Sequence, residues 1–230
     1  MTTVRRSVEQ TVSRMVRRTL RDRAGLAGLP GARPDAVQAL ATLIDHRLAA
    51  APAALGPLCA EAVERGIGCL VVPLDQVAAA ADLLAGSGCR VGALVAGPAE
   101  LDQALDAGAG EIEIAPPAGL LEHESDLAEW VATIRGRGDS GFVLKLDLAG
   151  LGLPADALLR VCAQAASLPI DYLSIPAGAV ADVQRTLNPD MGIKVDGIAT
   201  LEAARQALAA GASRLGTGAG PELLDLASGG

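Results

Sequence analysis

Aromatic side chains are almost missing: Trp130, Phe142 and Tyr172 are the only three in 230 residues. That scarcity removes any stacking platform for a nucleobase or a flavin, so a small aliphatic or sugar-like ligand is the expected kind of partner. Histidine is equally rare, with His46 and His123 alone. A histidine-rich zinc centre is therefore not expected, and a Ser-His-Asp triad would depend on one of two residues with no nucleophile beside them. His46 follows Asp45 and should face the other side of its strand in a packing role. The four cysteines, Cys59, Cys69, Cys89 and Cys162, form no CxxC or Cys/His cluster and read as reduced core residues. No apolar run reaches the roughly 18 residues of a membrane span. The N-terminus also lacks the apolar core of a signal peptide, so the expected location is the cytoplasm, with no membrane partner.

Half of the chain is hydrophobic, nearly all of it Ala, Leu, Val and Ile, enough for a large aliphatic core. The net charge of −8 is unevenly spread. Residues 1–34 hold eight arginines (Arg5, Arg6, Arg14, Arg17, Arg18, Arg21, Arg23, Arg33) against Glu9 and Asp22. Without aromatics among them, a nucleic-acid role is not expected. Val4, Val8, Val12, Met15, Val16 and Leu20 recur at helical spacing, which predicts an amphipathic helix that caps the barrel bottom or joins a partner subunit. Residues 1–34 are read as this helix with its linker, and 35–230 as the main domain.

After the Gly/Pro stretch 25–34, short aliphatic runs alternate with helical segments to the end. The expected strands are Ala41–Asp45, Cys69–Val72, Val91–Val95, Glu111–Ala115, Val143–Leu148, Tyr172–Ile175, Gly192–Val195 and Arg214–Thr217. Helices are expected at Leu58–Glu64, Leu101–Ala107, Ser125–Arg135, Ala155–Ala166, Ala179–Thr186 and Leu201–Ala209. Eight βα units with no GxGxxG turn after the first strand favour an α/β fold of the TIM (β/α)8 barrel type over a doubly wound sheet, with the extra N-terminal amphipathic helix in front.

In such barrels chemistry sits at the C-terminal strand ends, where side chains two apart share a face. That rule selects Lys145 with Asp147, Lys194 with Asp196, Glu111 with Glu113, and Asp45. The two lysines stand against seventeen arginines. Arginine serves a surface as well as lysine but cannot form an imine, so a position that needs amine chemistry resists replacement. Paired counter-ions in a polar interior would give the same sequence.

The runs Leu43-Ile44-Asp45-His46, Leu58-Cys59-Ala60-Glu61-Ala62, Gly108-Ala109-Gly110-Glu111-Ile112-Glu113, Leu144-Lys145, Met191-Gly192-Ile193-Lys194 and Ala209-Ala210-Gly211-Ala212-Ser213-Arg214-Leu215-Gly216 resemble, in order, the deoxyribose-phosphate aldolase pattern. The resemblance implies a class I aldolase, in which a lysine forms an imine with a carbonyl and neither metal nor cofactor is required. It also implies a homodimer or small homo-oligomer and a small carbonyl or sugar-phosphate substrate. The family's imine lysine falls in a Lys-Thr-Ser-Thr-Gly run on the sixth strand, which reads Ser174-Ile175-Pro176-Ala177-Gly178 here. Its acid aspartate is matched by Glu113, and its lysines on the fifth and seventh strands by Lys145 and Lys194. Around the family's phosphate site, paired glycines are reduced to Gly197 beside the new acid Asp196, and the last run becomes Gly216-Thr217-Gly218-Ala219-Gly220.

The glycine-rich turn opens a helix, so Gly216, Thr217 and Gly218, with Gly178 and Gly197, are candidate phosphate contacts, and Ser174 joins them as a substrate contact. Asp196 opposes a phosphodianion there by on the order of 1 kcal/mol. The expected function is a divergent carbon–carbon lyase or synthase with Lys194 as the imine-forming amine. Repulsion from Lys145 would favour its neutral form, Asp147 and Asp196 would oppose that, and Glu113 and Asp45 would move protons. The alternatives are a non-imine isomerase, cyclase or dehydratase on the same scaffold, and a non-catalytic metabolite-binding or scaffold homologue. A metal held by Asp45, Glu113, Asp147 and Asp196 is disfavoured because interior lysines compete with a cation.

Overall fold

The computed structural model describes residues 15–29, 34–48, 55–137, 141–187 and 191–229. Residues 15–24 are helical (α1). Then follow α2 (Pro34–Leu43), β1 (Ile44–Arg47), α3 (Leu55–Arg65), β2 (Cys69–Val72), α4 (Val77–Leu84), β3 (Arg90–Val95), α5 (Pro98–Asp106), β4 (Glu111–Ile114) and α6 (Glu124–Arg135). The second half runs β5 (Val143–Asp147), α7 (Ala155–Ala165), β6 (Tyr172–Ser174), α8 (Val180–Thr186), β7 (Gly192–Val195), α9 (Leu201–Ala210), β8 (Arg214–Thr217) and α10 (Gly220–Ser228). Each strand pairs in parallel with the next, and β8 closes on β1, giving the expected eight-stranded barrel.

Seven strands lie where the alternation of aliphatic and helical segments puts them, and the first is displaced. Ala41–Leu43 ends α2, and β1 begins only at Ile44 and runs through His46 and Arg47. Alanine and leucine are strong helix formers, and Ala36, Ala39, Leu40, Ala41 and Leu43 are all buried, so packing carries the helix up to the strand without a loop. The same alanine richness hides α4 from a strand-centred reading, because VAAAADLL has no polar face to mark its period.

The two-residue period of the strands separates two environments. In β4, Ile112 and Ile114 point outward and are fully buried beneath the helices, while Glu111 and Glu113 point inward. In β5, Leu144 and Leu146 are outward, and Lys145 lies inside with almost no exposure. The aliphatic core is thus the shell between strands and helices, and the barrel's axis is charged. Ala24, the last residue of α1, and Ala27 in the turn after it are fully buried in that same shell, and Leu20 packs against it. Met15 and Val16 on α1 are exposed, and Val4, Val8 and Val12 of the expected helix lie outside the described residues.

Candidate active site

The charged interior divides into two groups at different depths. In the lower group Lys145 Nζ donates to Asp45 Oδ2 and lies 2.5 Å from Glu111 Oε2. Arg214 reaches the same two acids, 3.1 Å from Asp45 Oδ1 and 2.7 Å from Glu111 Oε1. Glu111 Oε2 receives no well-aligned hydrogen bond, so its partnership with Lys145 is ionic. Arg90, half exposed at the other end of the barrel, adds a contact of 3.2 Å to Glu111 Oε1. Tyr172 packs its ring 5.5 Å from the Arg214 guanidinium. Burial alone would push the Asp45 and Glu111 carboxyls up, but Lys145 and Arg214 reverse this and hold both below their ordinary values. Burial likewise opposes the Lys145 charge, and Asp45 and Glu111 overcome it, so Lys145 stays an ammonium.

Asp45, Cys69 and Glu111 bring ligand atoms within 4.8 Å of one another, the one such group among the described residues. Lys145 and Arg214 already neutralise its acids, and burial pushes the Cys69 thiol well above its ordinary value, so the group suits internal ion pairing better than a cation.

The upper group lies toward the C-terminal strand ends. Lys194 Nζ sits 2.7 Å from both oxygens of Glu113 and 2.7 Å from both oxygens of Asp196, with no exposure of its side chain. Ser174 Oγ donates to Asp196 Oδ2 at 2.6 Å. Arg47 crosses above, its Nη2 3.4 Å from Glu113 Oε2 and 3.5 Å from Asp196 Oδ1, with 42% of its side chain exposed. The two acids are driven apart. Burial pushes the Glu113 carboxyl up, helped by Asp196, and the attraction of Lys194 does not cancel it. For Asp196 the penalty of burial is outweighed by Lys194, Ser174 and Arg47, which hold it down. A pair of carboxyls separated in this way can divide acid and base work.

Strand register accounts for one of these meetings, since Ser174 pairs with Lys194 across β6 and β7. Glu113 pairs in register with Lys145 across β4 and β5, yet its carboxyl reaches across the barrel to Lys194 on β7. Asp196 needs one further concession. A side-chain carbon on Gly216 would sit 1.8 Å from Asp196 Oδ1, so only glycine at that point of β8 lets the carboxylate lean over the strand toward Lys194.

Of the residues selected from sequence, Lys194, Glu113, Asp196 and Ser174 form one constellation, while Lys145 and Asp45 belong to the group beneath. Asp147 joins neither by a bond, because its Oδ1 accepts from the backbone amides of Ala149 and Gly150. Thr217 Oγ1 accepts from the Ala219 amide at 2.9 Å, and buried His46 Nδ1 accepts from the Gly220 amide at 3.3 Å. Two amides at the α10 start are thereby occupied, and Glu222 stands in its first turn. Gly178 and Gly197 border open space, and Gly197 takes the left-handed conformation with φ 75°. Arg47, Arg90 and Arg214 were not singled out from sequence. The signal for Arg47 was its two-residue spacing from Asp45, which puts both on the inner face. Arg214 opens a strand rather than ending it, so a rule based on strand ends passes over it.

No family profile matches the chain. Individual proteins do. It is 32% identical over 212 residues to the deoxyribose-phosphate aldolase of Methanothermobacter thermautotrophicus, covering 81% of this chain and 94% of that one. It is 30% identical over 214 residues to deoxyribose-phosphate aldolase 1 of Cutibacterium acnes, covering 80% and 96%. Among solved structures, the tetrameric deoxyribose phosphate aldolase of Aeropyrum pernix superposes with a TM-score of 0.71 at 21% identity, covering 90% of this chain and 95% of that one.

Proposed function

The chain belongs to the deoxyribose-phosphate aldolase family, and on that basis we propose that it is a carbon–carbon lyase or synthase whose imine-forming amine is Lys194 rather than a residue of the sixth strand. The observation that carries the reading is the 2.7 Å contact of Lys194 Nζ with Glu113, a carboxyl that burial pushes toward its protonated form. One hydrogen bond separates the amine's proton from an acceptor, which is what an initially charged amine needs before it can attack a carbonyl. The sixth-strand position holds Ser174, whose register partner is Lys194. The imine-forming role thus passes to the lysine already matched on the adjacent seventh strand, one strand spacing of about 4.8 Å away.

In the cleavage direction, Glu113 takes a proton from Lys194, and the neutral amine attacks the carbonyl carbon. The carbinolamine regains a proton on oxygen and loses water to give an iminium. A carboxylate then removes the proton from the hydroxyl on the β-carbon. The bond between the α- and β-carbons breaks, its electron pair flows toward the iminium nitrogen, and an aldehyde departs. The remaining enamine is protonated on carbon and hydrolysed. Asp196, held ionised, balances the iminium charge, and synthesis is the reverse. Lys145 and Asp45 act from below as a fixed charged floor. A small hydroxy aldehyde or ketone is the proposed substrate and a homodimer the proposed assembly.

Four carboxylate oxygens around a fully buried Lys194 also favour a second reading, in which the ammonium stabilises an enolate and the enzyme is an isomerase or cyclase. Borohydride trapping separates the two. Incubation with acetaldehyde or acetone followed by reduction should give one mass adduct on the wild-type protein, none on Lys194→Met and a retained adduct on Lys145→Met, with folding checked by circular dichroism. Absence of an adduct with every carbonyl tried leaves the enolate reading.

A further inference from the structure

We infer that Arg47 is the anion-binding residue of this site and that the group it receives is a carboxylate on the carbon next to the reacting carbonyl, which makes the substrate a 2-oxo acid. The inference rests on the Lys194 reading for the place of the carbonyl and on independent geometry for the place of the anion. Arg47 Nη2 and Lys194 Nζ approach the same two oxygens, Glu113 Oε2 and Asp196 Oδ1, at 3.4 and 3.5 Å for the arginine and 2.7 Å for the lysine. With a single oxygen between the two cations, the anion placed to reach Arg47 from a carbonyl carbon bonded at Lys194 is a carboxylate on the neighbouring carbon. A phosphate at the far end of a five-carbon sugar is several bonds of roughly 1.5 Å too remote.

The guanidinium is also available. Its contacts are longer than the roughly 2.7–2.9 Å of a seated charge-assisted bond, and 42% of the side chain is exposed, so its planar fork is not committed to either acid. A substrate carboxylate that draws Arg47 upward would take a counter-charge from Glu113 and so favour proton transfer from Lys194 to it.

The alternative anion site has two of its donors already occupied. At the turn before α10 the Ala219 amide is bonded to Thr217 and the Gly220 amide to His46. Asp196 lies against Gly216, and Glu222 opens the helix. With those two amides occupied, the turn has fewer free donors for a phosphodianion, whereas Arg47 brings a guanidinium to the acids it faces.

The test is calorimetric titration of the full-length protein with pyruvate, acetone and inorganic phosphate, for wild type, Arg47→Lys and Arg47→Gln. Pyruvate is expected to bind wild type and to lose at least about tenfold in affinity, about 1.4 kcal/mol, in Arg47→Gln, a loss tenfold greater than any for acetone, with Arg47→Lys between. Pyruvate binding that is equal in wild type and Arg47→Gln, or absent from wild type, overturns the inference. So does Arg47-dependent binding of phosphate with none of pyruvate. Borohydride trapping on the same proteins reports the lysine separately. Pyruvate that binds through Arg47 without a reducible adduct sinks the imine and keeps the anion site, whereas trapping that ignores Arg47 does the opposite.

Discussion

At the scale of single residues, the site turns on one carboxyl pushed up and its neighbour held down around a shared lysine. Glu113 owes its shift first to burial, with the Asp196 charge adding to it. As the base that frees the Lys194 amine, Glu113 works only when ionised, so the rate should rise with pH through its raised value, above the ordinary 4.5. In Glu113→Gln the rate of imine trapping should drop by about 10²–10⁴-fold and its acidic limb should vanish, while Glu113→Asp should retain part of the rate. Stopped reactions with borohydride across pH measure both, and an unchanged limb in Glu113→Gln would remove Glu113 from proton transfer. The glutamate itself was legible in sequence, because Glu111 and Glu113 alternate with isoleucines in one strand. Its asymmetry with Asp196 was not, since that depends on how deep each carboxyl sits.

Among the elements, β7 and β8 make the site by their closeness. Asp196 leaves the end of β7 and leans over Gly216 in β8, and that approach tolerates no side chain beneath it. Gly216→Ala should push Asp196 away from Lys194 and Ser174, costing about 1–3 kcal/mol from overpacking and at least tenfold in trapping rate. Chemical denaturation and trapping kinetics read the two effects, and normal trapping in a destabilised variant would separate Asp196 from the chemistry. A glycine in a phosphate-like run invites the reading that its amide meets a ligand, and here its missing side chain makes room for an acid of the same barrel. β1 teaches a similar lesson. Its residues follow directly on α2, so Ala41–Leu43, which resemble a strand entrance, are the last turn of a helix.

For the whole molecule, a charged axis inside an aliphatic shell ties stability to pH. Asp45, Glu111 and Asp196 have folded values below the ordinary 3.8, 4.5 and 3.8, so each contributes stability that is present above its unfolded value and lost as pH falls toward the folded one. Glu113 acts in the opposite sense, its contribution being lost as pH rises through its raised value. The Glu113 contribution changes only above the ordinary 4.5, so below about that pH the three lowered carboxyls govern and the barrel should lose stability steadily. Urea midpoints followed from neutral to acid pH check this, and a flat profile would mean that the inner pairs survive protonation. Replacing one partner of such a pair is costly because it strands a buried charge.

The eight βα units, the inner and outer faces of most strands, and the two lysines on which any imine chemistry must rest are all legible in the chain. Period and composition are local properties, and a strand's alternation survives any arrangement of its neighbours. Only the tertiary structure decided which charges share a depth. Lys145 and Lys194 look equivalent as strand-end lysines, yet in the closed barrel one side chain enters a floor with Asp45, Glu111 and Arg214 and the other a group nearer the mouth with Glu113, Asp196 and Arg47. Barrel closure couples strands far apart in the chain, and no local pattern records how far each strand has slid before the ring is shut.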